Sequence, residues 1–141
     1  MGYGTLPFYH GDVIISPVLF GLKVNWDILK KRFLQADQTA QLESLALNLT
    51  RIQFFADSVT GESVVEHLIR ESQFFIEWIV PGIDLETGLD QAVELADLQR
   101  LLSRWKLNCS DWWGDEQKRQ EVARLSQEWC DRILKRHTLS A

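Results

Sequence analysis

Apolar residues recur at helical spacing along most of the chain, so the pattern predicts rods rather than strands. Leu22, Trp26, Leu29 and Phe33 make a first stripe, with Asn25 placed to cap a helix that starts just after it. From about Thr39 to Ser58, Leu42, Leu45, Leu49, Ile52, Ala56 and Val59 line one face. Leu47 and Phe54, seven residues apart, fall on nearly the opposite side, separated by Arg51. A helix apolar on two sides is either sandwiched in a core or offers one side to a partner.

A third helix is predicted from about Glu62 to Val80, with a stripe of Val64, Leu68, Phe75 and Ile79 ended by Pro81-Gly82. Only a narrow wedge holding Glu66, Arg70, Gln73 and Glu77 is fully polar. The fourth, from near Thr87 to Lys106, changes register. Leu85, Leu89, Ala92 and Ala96 form one stripe, whereas Leu95, Leu98, Leu102 and Trp105 form another. Such a helix is either contacted on different sides at its two ends or bent. The fifth carries Val122, Leu125, Trp129 and Ile133 inward, with acids at its start and Lys135, Arg136 and His137 at its end, which suits the helix dipole.

The amino-terminal stretch is different. Residues 1–15 contain glycines, Pro7 and aromatic side chains without helical period, and read as an extended arm in which "DVIIS" can form a short strand. Ser16-Pro17 suits a helix start, and a hairpin through residues 13–24 is the alternative. The expected fold is therefore all-α: an antiparallel bundle of four long helices, preceded by a short helix or hairpin and the arm, with residues 16–141 as one domain.

Composition narrows the function. The 141 residues are 45% hydrophobic, as a globular chain requires, and carry a formal charge of −5, which argues against nucleic acid as a general partner. No segment is long and apolar enough to predict a membrane span. Cys109 and Cys130 form neither a disulfide framework nor a CxxC pair, and no secretory signal is visible, so a reducing cytoplasm is the expected location.

Candidate chemistry is sparse. His67 and Glu71 stand one helical turn apart and could present two metal ligands, but no third ligand has an obvious route there, and a histidine satisfied by its own i+4 carboxylate is the simpler account. Asp90, Glu94 and Asp97 run down one flank of the fourth helix and are expected to face water. Phosphate loops, nucleophile elbows and HExxH stretches are missing, and no cofactor is implied. The stretch "DRILKRH" puts Arg132 five residues before His137, which resembles the Arg–His pair of HEPN-type ribonucleases, themselves small helical bundles. That resemblance implies RNA cleavage by Arg132 and His137, paired across a dimer. Ile133 stands where the motif usually has a polar residue, and the helix dipole already accounts for both side chains.

The adjacent Trp112 and Trp113 sit in a short polar connection. Neighbouring rings point in different directions, so one is expected to close the end of the bundle and the other to stay partly exposed as an anchor for a partner. The sequence thus reads as a non-enzymatic interaction module whose partner is another protein or a second copy. Leu47, Phe54, Trp78, Trp112 and Trp113 are its candidate contact residues. The alternatives are the ribonuclease and a metal-dependent enzyme built on His67 and Glu71.

Overall fold

The computed structural model describes residues 9–10, 13–14 and 25–140, with backbone alone for 9–10 and 136–140. The hairpin or helix expected within 13–24, including Ser16-Pro17 and Leu22, lies largely outside these residues. What is described is all-α apart from one small ribbon. Strands β1 (Tyr9–His10) and β2 (Val13–Ile14) pair antiparallel, Tyr9 opposite Ile14, so a strand does form within "DVIIS". Ile14 is buried, and its N–H donates to Ser44 Oγ at 2.9 Å, which ties the ribbon to the second helix.

Four of the helices start where a short polar side chain can accept from the open first turn. Asn25 accepts from the Ile28 N–H ahead of α1 (Trp26–Gln35), and Asp37 from the Ala40 N–H ahead of α2 (Gln38–Ala56). After a single 3-10 turn, α3 runs from Glu62 to Ile79, and Pro81 then stops the ladder as expected. Asp84 opens α4 (Leu85–Leu107) two residues before the predicted start. A four-residue turn, α5 (Cys109–Trp112), leads to α6 (Glu116–Ser140), whose first turn Asp115 caps through Gln117 and Lys118.

The core lies between α2, α3, α4 and α6. Helix α2 packs against α6 and α3, and α3 packs in turn against α4. The predicted stripes of α2 and α3 are buried at Leu45, Leu49, Ile52, Leu68, Phe75 and Ile79. In α4 the second stripe alone enters the core, at Leu95, Leu98, Leu102 and Trp105. Leu85, Leu89 and Ala96 of the first are exposed, and a break at Gly88 (φ −118°, ψ 18°) divides the opening turn from the rest of the helix. A Cβ at Gly88 would stand 2.6 Å from Ile83 Cγ2, so the close approach at the break requires glycine.

Candidate functional site

The tryptophan pair belongs to the core. Trp112 is 6% exposed and Trp113 4%, which corrects the expectation that one of them stays open to a partner. The short α5 turn lets both rings face inward, tilted against each other with centroids 5.5 Å apart. The Trp112 indole N–H donates to the Trp105 carbonyl at 3.1 Å, and that of Trp113 to the Val59 carbonyl at 2.7 Å. Trp112 thus holds the connection between α4 and α6 to the end of α4, and Trp113 holds it to the junction of α2 and α3. Trp78 is likewise occupied. Half-buried, it packs among Phe33, Phe74 and Phe75 at 5.5–5.9 Å, joining α1 to α3.

Leu47 and Phe54 behave differently. Both lie on the outer face of α2, where two clefts meet. One, of about 440 Å³, is lined by Glu43, Leu47, Thr50 and Arg51 of α2, with Val13 of β2 and Cys130 and Leu134 of α6. The other, of about 850 Å³, continues past Thr50 and Arg51 to Phe54, Phe55, the 3-10 turn at Gly61, and Val64. Leu47 is half-buried, and Phe54 is 66% exposed, braced edge-on against Phe55 at 5.0 Å. Arg51 borders both clefts, and its Nε is buried with no acceptor in reach. In the narrower cleft the Thr50 hydroxyl lies 3.3 Å from the Cys130 sulfur. Burial raises the Cys130 pKa above its usual value, and that hydrogen bond offsets only part of the rise.

The residues proposed for catalysis do not assemble. His67 is exposed on α3, whereas Glu71 is 1% exposed and accepts from Asn48 Nδ2 at 3.2 Å. One turn apart on the same helix, His67 stays in solvent whereas Glu71 turns into the packing against α2. Arg132 is engaged with Glu94 (3.3 Å) and lies 3.8 Å over the Trp129 ring, while the His137 side chain falls outside the described residues. Glu94 is buried, which corrects its assignment to a solvated flank; its ion partner lies 38 residues on, beyond what helical spacing reveals.

Among the described residues, Glu62, Glu66 and Cys109 make the one set in which three potential metal-ligand atoms converge, all within 4.8 Å of one another. The buried Cys109 thiol is pushed up to about 12 by desolvation first and by the Glu66 and Glu62 carboxylates next. Without a cation it is a neutral thiol facing acids, not a nucleophile.

Comparison of the chain with protein-family models, with curated proteins and with solved structures found no match. No helix of the described residues is long and apolar enough to cross a membrane.

Proposed function

We propose that this protein is a non-enzymatic helical interaction module, an adaptor or regulator, that docks another protein chain on the outer face of α2. In this reading residues 16–141 form one domain, with the four long helices as an antiparallel bundle. Short connections between consecutive helices support that arrangement. Two free, buried thiols suit a reducing cytoplasm.

The observation that carries the proposal is Phe54. Every indole in the described residues is buried or half-buried, yet this phenyl ring stands 66% exposed beside clefts of about 850 and 440 Å³. Covering a large aromatic side chain supplies much of the energy of a protein interface, and a groove beside a helix is a common seat for a partner helix. Leu47 and Leu134 extend the apolar surface, and Arg51 gives it a fixed charge.

A photo-crosslinking residue at position 54 of the full chain tests this directly in its own cells. Expected is a covalent protein adduct heavier than the 16.4 kDa chain, absent when the same group replaces Leu107, which is 82% exposed but lines neither cleft. Equal labelling at both positions, or none at 54, would overturn the assignment.

A further inference from the structure

We propose that the chain docked on α2 is a second copy of this protein, laid antiparallel across Leu47 so that Glu43 of each copy meets Arg51 of the other. The inference rests on the docking face described above and specifies its occupant. Helix α2 carries two charged side chains in its 19 residues, Glu43 and Arg51. They sit one helical turn before and one after Leu47, on the same face, and all three line the same cleft. A twofold axis between antiparallel helices exchanges positions equally spaced about it. With the axis at Leu47, that leucine meets its own copy and the acid–apolar–base series becomes complementary to itself. A parallel pairing would instead set Glu43 against Glu43 and Arg51 against Arg51, which is repulsive.

Both charges are available for this use. Among the described residues neither Glu43 nor Arg51 joins an ion pair. On the same seam, Phe54 then reaches toward the first turn of the other α2, where Thr39 is exposed. Val13 and Leu134 flank the narrower cleft as apolar walls. A single helix face buries less than the roughly 800 Å² per partner of a standard interface, so association should be reversible and steep in concentration.

Sedimentation equilibrium of the full chain over a concentration series reads the outcome. The average mass is expected to rise from 16.4 kDa toward twice that value by about 200 µM. E43R and R51E should each weaken self-association by about tenfold or more. An equimolar mixture of the two should recover it, because each swapped side chain then meets its opposite; loss through misfolding would not be rescued by mixing. A wild-type chain that stays monomeric throughout, or a dimer indifferent to both swaps, would overturn the inference. If position 54 still captures a different protein in that case, the docking face stands and only its occupant is wrong. If position 54 captures nothing, both readings fall together.

Discussion

At the scale of single residues, the large aromatic side chains divide by whether their polar atoms find a partner. Trp112 and Trp113 are held inward because each indole N–H reaches a backbone carbonyl, so burial costs no unsatisfied donor. Phe54 has no polar atom to satisfy and is left in water by position alone. Trp113→Phe keeps most of the ring but removes the donor to Val59, and should lower stability by about 1–2 kcal/mol in urea unfolding. Phe54→Ser, by contrast, should change it by less than about 0.5 kcal/mol. A Trp113→Phe variant as stable as the parent would mean that the hydrogen bond does not hold the connection in place. Adjacency told the sequence reader that the two rings differ in direction. It gave no sign that both directions lead inward, because that depends on which backbone lies opposite.

Among the helices and turns, boundaries were the most legible feature. Asn25, Asp115 and Pro81-Gly82 all mark ends that local chemistry dictates, since capping oxygens and a missing N–H act within one turn. The register change in α4 was also visible, and the structure adds a break near its start, at Gly88 close against Ile83. The turn from α2 to α3 depends on a similar close approach. A Cβ at Gly61 would run into the Phe55 carbonyl oxygen, a backbone atom that cannot swing aside. Gly61→Ala should therefore destabilise the fold by about 2 kcal/mol or more, read as a lower urea midpoint. The same turn floors the wider cleft, so a relaxed connection would also loosen the docking face.

For the molecule as a whole, contacts distant in sequence decide both charge and pH behaviour. Arg132 and Glu94 link α6 to α4, and Glu62, Glu66 and Cys109 bring α3 against the α5 turn. Below about pH 9 the Cys109 thiol is protonated whether the chain is folded or not. Above it the unfolded thiol ionises, whereas the folded one keeps its proton up to about 12, so stability from this group is lost as pH rises through that window. The urea midpoint of the wild type should fall more steeply between pH 9 and 11 than that of Cys109→Ala. Parallel curves for the two proteins would show that neither burial nor the neighbouring carboxylates raise the thiol. The sequence by itself determined the helices, their caps and most inward stripes, because periodicity and capping are local properties of a chain. It also singled out Leu47 and Phe54 as a second apolar side for α2. Tertiary structure decided the rest: the burial of both indoles and of Glu71, and the clefts beside α2. Those outcomes depend on which surfaces meet, and helical spacing carries no record of the neighbour across the core.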